Sequence, residues 1–128
     1  MGESVMDSVL QKLSKIKANP ELLNDVGGQW VVDFLNDIIN VSDDTCTYNQ
    51  LKRCHAYVRG FTVHGVLVMR LLQSYNTHIA AILYDGNEAI ACLDFLRYIY
   101  GYTSTSCQHI RKFFYEYSGN APHFRYDW

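Results

Sequence analysis

Proline is scarce. Pro20 and Pro122 are the only two in 128 residues, so few positions forbid a regular helix. The four cysteines, Cys46, Cys54, Cys92 and Cys107, include no C-x-x-C pair, which removes the usual zinc-site and thiol-redox spacings. Charge of one sign is also lacking. Eleven Lys and Arg stand against thirteen Asp and Glu, a net −2, so the basic footprint expected of a nucleic-acid binder is missing. No apolar run approaches the ~20 residues that cross a bilayer as a helix. No G-x-G-x-x-G, G-K-[ST] or G-x-S-x-G motif occurs, which argues against nucleotide cradles and the hydrolase nucleophile elbow. The opening "MGESVMDSVLQKLSK" carries charges throughout, unlike a secretory leader. Met6 stands where a myristoylation signal needs Ser or Thr. These absences lead to the expectation of reduced thiols, a cytoplasmic setting and no integral membrane segment.

What is present is apolar and aromatic: 48% hydrophobic residues, 14% aromatic, ten tyrosines. That is enough for one domain over residues 1–128 with a real core. Val5, Met6, Val9, Leu10, Leu13 and Ile16 recur at helical spacing. Ser4, with Asp7 three residues on, makes a capping-box pattern there. Asn19 and Pro20 begin a short turn, and Gly27–Gly28 reads as a hinge. Trp30, Val31, Phe34, Leu35, Ile38 and Ile39 form the stripe of a second helix. Further helices are expected over Thr47 to Arg59, over "FTVHGVLVMRLLQSY", where the β-branched residues also allow a strand but the spacing of Val63, Val66, Leu67, Arg70 and Leu71 favours a helix, over "THIAAILYDG" and over the segment after "TSTS" that carries Ile110, Phe113, Phe114 and Tyr117. The stretch from Asn87 to Tyr100 is apolar in every direction, which for a helix means burial on all sides. The expected fold class is therefore all-α: a compact bundle of about six to seven helices around a central hydrophobic helix, with the aromatic tail "NAPHFRYDW" folded back on it.

Few residues suggest chemistry. The five histidines form no H-x-x-x-H pair, so neither metal nor cofactor is expected. Cys107 and His109 could pair as nucleophile and base, but residues two apart on a helix diverge. Asp43–Asp44 lacks the glycine and distal glutamate of a calcium loop. Lys12, Lys15 and Lys17 read as compensation of a helix dipole. The expectation is a binding protein and no enzyme.

"LYDGNEAIACLDFL" resembles the first homology region of the Bcl-2 family, where a helix ends in Leu-Phe-x-Asp-Gly and an Asn-led turn starts the central helix. Leu83, Tyr84, Asp85, Gly86 and Asn87 carry the likeness. "QWVVDFLNDII" is similar to the family's amino-terminal homology helix, and "APHFRYDW" to its aromatic second homology region. The resemblance implies an anti-apoptotic protein of the diverged, anchorless kind that viruses encode, acting in the host cytosol. It would sequester amphipathic helical peptides of pro-apoptotic proteins, the Bcl-2 homology 3 helices, in a hydrophobic groove. The implied groove lining is Tyr57, Phe61, Leu67, Leu71, Ile82, Leu83, Asn87, Ala89, Ile90 and Leu93. The family's ligand-pairing arginine falls on Ile90, leaving Arg59, Arg70 or Arg97 as substitutes.

An alternative is a BTB-like or other homodimeric interaction domain without a peptide groove. "GFTVHGVLVMRLLQSY" looks like that fold's strand, histidine and helix, and "FLRYIYGY" like its Phe-Leu-x-Tyr-Ile-Tyr segment. Surplus aromatic surface suits a homodimer interface as well as a groove.

Overall fold

In a computed structural model the described residues are 4–43, 48–51, 55–101 and 103–127. Helix α1 (Val5–Ala18) is followed by a 3₁₀ turn (Pro20–Asn24) and α2 (Gly28–Val41). Five strands come next: β1 (Tyr48–Gln50), β2 (Ala56–Val63), β3 (Val66–Ser74), β4 (Thr77–Asp85) and β5 (Glu88–Asp94). A single helical turn, α3 (Leu96–Ile99), leads to α4 (Ser104–Tyr117) and the last strand, β6 (His123–Arg125). The six strands form one sheet in chain order, antiparallel from β1 to β5, with β6 parallel to β5.

The expected all-α bundle is therefore corrected to a mixed α/β fold, and the helical-bundle description falls with it. "FTVHGVLVMRLLQSY" is a β-hairpin, which also removes the strand-then-helix pattern of the BTB-like alternative. "THIAAILYDG" is β4 and its turn, and the would-be central helix is β5 followed by α3. The segment from Thr47 to Arg59 holds β1 and the start of β2; Asp44, Cys46, Thr47 and Cys54 lie outside the described residues. The helices expected near both ends do form, as α1, α2 and α4. Ser4 accepts the Asp7 N–H at 3.1 Å at the first cap. The tail folds back through β6, and the Tyr126 hydroxyl donates to the Leu23 carbonyl at 2.8 Å.

The sheet is covered on both faces. Helices α1 and α2 bring Val9, Leu13, Ile16, Val31, Phe34 and Ile38 into one core with Leu71, Ala81, Leu83 and Leu93. Helix α4 brings Ile110, Phe113 and Phe114 against Leu72, Ile82 and Cys92 on the other face. Strands buried on both sides are apolar at nearly every position, the same pattern as a helix apolar all round. Each fully buried Leu or Phe contributes about 1.5–3 kcal/mol relative to exposure, so burying two faces outweighs the modest helix propensity of these segments.

Two-residue turns set the hairpins. His64 and Gly65 lie at φ +52° and +76°, and Gly86 and Asn87 at +61° and +68°, the two left-handed positions of a type I′ turn. Tyr75 enters the third turn at +55°. Asn87 caps no helix. Its Oδ1 accepts the Leu67 N–H across the sheet end at 3.2 Å.

Candidate ligand cavity between α4 and the β5–β6 pair

The chain leaves β5 at Asp94, passes through α3 and α4, and returns as β6 beside β5, with Asp94 opposite Arg125 and Cys92 opposite His123. This crossover is the one parallel connection among the described strands, and the carboxyl ends of parallel strands are where α/β sheets leave crevices. A cavity of about 530 Å³ opens there. Ile110 and Phe114 of α4 and Phe124 of β6 give it an apolar wall. The Phe114 and His123 rings meet at 4.9 Å with their planes 60° apart.

Three guanidinium groups and one carboxylate line the same cavity: Arg97, Arg111, Arg125 and Asp94. Arg125 Nε stands 3.9 Å from Asp94 Oδ2, and Arg97 Nε 4.0 Å from Asp127 Oδ1. These are loose ion pairs, longer than the 2.7–2.9 Å of a charge-assisted hydrogen bond. Arg111 forms no ion pair with a carboxylate among the described residues. Asp94 Oδ1 accepts the Leu96 N–H at 3.2 Å. Burial raises the Asp94 pKa above the usual carboxylate value, against the opposing pull of that N–H, Arg125 and Arg97. The lining thus carries excess positive charge beside an aromatic and aliphatic wall.

The residues implied by the Bcl-2 resemblance lie elsewhere and do not share one groove. Phe61, Leu71, Leu83, Ile90 and Leu93 are buried under α1 and α2, whereas Ile82 is buried under α4 with Leu67 and Ala89 packed nearby. Tyr57 is half-buried on β2, and Asn87 is exposed in its turn. Of the three candidate arginines only Arg97 reaches the cavity. Arg59 lies 5.1 Å over the Phe61 ring, and Arg70 is held 5.2 Å from the Tyr84 ring and 4.7 Å from that of Tyr117. Arg111, Arg125 and His123 were not singled out by spacing. They converge through the crossover, and the sequence signal for it was the short "HFR" strand after a glycine-ended helix.

Cys107 and His109 also part. Cys107 lines the arginine cavity, while His109 is buried with its Nδ1 2.8 Å from Ser74 Oγ. Ser74 Oγ lies 3.2 Å from Ser106 Oγ as well. Burial lowers the His109 pKa, aided by Lys112 and His55, so the ring is neutral at pH 7. The serine–imidazole contact has nucleophile–base length, but no carboxylate hydrogen-bonds His109 among the described residues. The arrangement satisfies three buried polar groups at the end of β3. Cys92 on β5, opposite Ile82, is buried, its thiol pushed up to about 11 mainly by burial, and is inert as a nucleophile.

Among the described residues, no three His, Cys, Asp or Glu side chains converge as a metal site. Among the described residues no helix is long and apolar enough to cross a membrane. No protein-family model matches the chain, and neither a curated protein nor a solved structure matches it.

Proposed function

We propose that the chain is a ligand-binding domain whose cavity between α4 and β5–β6 holds a small molecule with an anionic group on an apolar or aromatic body. The observation that carries this reading is the lining: Arg97, Arg111 and Arg125 against Asp94, beside Phe114 and Phe124. Guanidinium forks match phosphate and carboxylate oxygens. The volume of about 530 Å³ falls within the range of small-molecule sites. Phenyl phosphate supplies both features in one probe. Calorimetric titration is expected to give saturable binding, tighter than for inorganic phosphate because the ring meets the apolar wall. Arg111→Gln removes one charged contact, worth about 1.5–3 kcal/mol, and is expected to weaken binding roughly tenfold or more. Equal affinity in wild type and variant, or no binding of phenyl phosphate, removes the reading.

A second reading, protein interaction, is favoured by Tyr75, Ile99 and Tyr100, large side chains left exposed at one end of the sheet. Tyrosines are common anchors in interfaces. The capture of pro-apoptotic helices implied by the Bcl-2 resemblance would have to use this surface, because the groove residues are divided between two cores. Titration with a panel of such peptides checks it. Binding that Tyr100→Ser weakens supports the reading, and a silent panel removes it.

A further inference from the structure

Asp94 is the one carboxylate in the lining of the arginine cavity, and its side chain is 20% exposed. Its Oδ1 is taken by the Leu96 N–H at 3.2 Å. Its Oδ2 faces Arg125 Nε at 3.9 Å, too far for a hydrogen bond. A carboxylate beside the guanidinium cluster repels any anionic group brought to that cluster. It also accepts hydrogen bonds and has none to give. An anion seated on the arginines is therefore held best when the same ligand presents a hydrogen-bond donor to Asp94. A hydroxyl suits this better than an ammonium group, because Arg97, Arg111 and Arg125 outnumber the single acid and repel a further cation.

We propose, on the basis of the anionic-ligand reading above, that this cavity takes a nucleoside monophosphate. The phosphate lies on the arginines, the ribose hydroxyls donate to Asp94 Oδ2, and the base lies against His123 and the apolar wall. Asp94 and Arg125 are register partners at the carboxyl ends of β5 and β6. An acidic side chain accepts from ribose hydroxyls in the same way in dinucleotide-binding sheets. A ribose carries its hydroxyls only a few bonds from its phosphate, which matches the closeness of Asp94 and Arg125. His123 is exposed, with its ring 4.9 Å from that of Phe114, and imidazole faces stack on bases as other aromatic rings do. Guanidinium forks hold phosphate through side chains, so the site needs no glycine-rich backbone cradle.

Adenosine monophosphate (AMP), its dideoxy analogue without ribose hydroxyls, and phenyl phosphate form the test, by calorimetry and amide-shift mapping. AMP is expected to bind roughly tenfold more tightly than the dideoxy analogue, the difference made by a hydrogen bond to a charged acceptor. Shifts are expected at Asp94, Arg97 and Arg111. Asn36 and Thr77, which line a separate cavity of about 290 Å³ under α2, are expected to stay unmoved. Asp94→Asn keeps an Oδ1 for the Leu96 N–H. It is expected to narrow the AMP-to-dideoxy ratio and to tighten phenyl phosphate, since the repulsion is gone, whereas a damaged fold would weaken all three probes. Where that variant fails to fold, the ratio in the wild-type chain carries the test. Equal binding of AMP and its dideoxy analogue, with phenyl phosphate bound, overturns the inference and leaves the anionic-ligand reading standing. Silence of every probe removes both. Absence of AMP binding, AMP shifts confined to other parts of the chain, or an unchanged ratio in folded Asp94→Asn also overturns the inference.

Discussion

At the scale of single residues, Gly28 shows how close packing dictates identity. A Cβ there would sit 2.6 Å from Cγ and Cδ2 of Tyr98, whose hydroxyl donates to Gln29 Oε1 at 2.8 Å. Gly28 is thus a contact surface in the first turn of α2, whereas its neighbour Gly27 has open space around it. Helix propensity favours Ala over Gly by up to about 1 kcal/mol, but overpacking costs about 1–3 kcal/mol. Gly28→Ala should therefore lower stability by about 1–2 kcal/mol in urea unfolding, while Gly27→Ala should cost less than half of that. His109 gives a pH dependence. Its folded-state pKa is lowered from 6.5 by burial, Lys112 and His55. Below 6.5 the unfolded chain binds more protons than the folded one, so stability rises with pH in that window. The contribution is complete above pH 6.5 and is lost as pH falls through the folded-state value. The melting temperature should fall between pH 7 and pH 5, and His109→Gln should flatten part of that fall. His78, lowered in the same direction, accounts for a further part.

At the scale of elements, the helices with an apolar stripe and a polar face were legible, and the strands were not. Ser4, Thr103 and the stripes of α1, α2 and α4 gave the right type because one face of each meets water. In β3, β4 and β5 two physical facts erased the period of two. Both faces are buried, so polar positions do not alternate. In addition Val68, Ile79 and Ile90 are each skipped in the strand pairing. These bulges place Val68 with Met69 and Ile90 with Ala91 in the same core, which mimics the adjacent apolar pairs of a helix. The usable signal was in the turns. "HG", "YN" and "GN" open at residues 64, 75 and 86, equally spaced between apolar runs, and such regular turn signals mark consecutive hairpins. Asn87 reads as a cap in one frame and as a type I′ residue in the other. Asn87→Val should cost about 1–3 kcal/mol, because a β-branched residue resists positive φ and the bond to the Leu67 N–H is lost. Asn87→Gly keeps the turn and should cost less. Equal losses for both variants in denaturant unfolding would assign the whole effect to the hydrogen bond.

At the scale of the molecule, a single sheet separates two cores, and each core edge holds a cavity of different character. The cavity beside α4 is cationic and half-apolar, and the cavity under α2 joins apolar side chains to the uncharged polar groups of Asn36, Asn76 and Thr77 and to His78. Neither could be read from spacing, because their residues are brought together by the β5–β6 crossover and by the packing of α2 on β3 and β4. The proposed binding role rests on a different kind of site: a cavity open to solvent at the edge of the sheet in place of a groove between helices. The most direct measurement is amide chemical-shift mapping of the ¹⁵N-labelled chain during titration with phenyl phosphate. The account predicts saturable shifts concentrated at Asp94, Arg97, Cys107, Arg111 and His123 to Arg125, with Val32, Asn36 and His78 on the other face unmoved. Shifts absent at saturating probe, or scattered over exposed lysines without reference to α4 and β6, would contradict it.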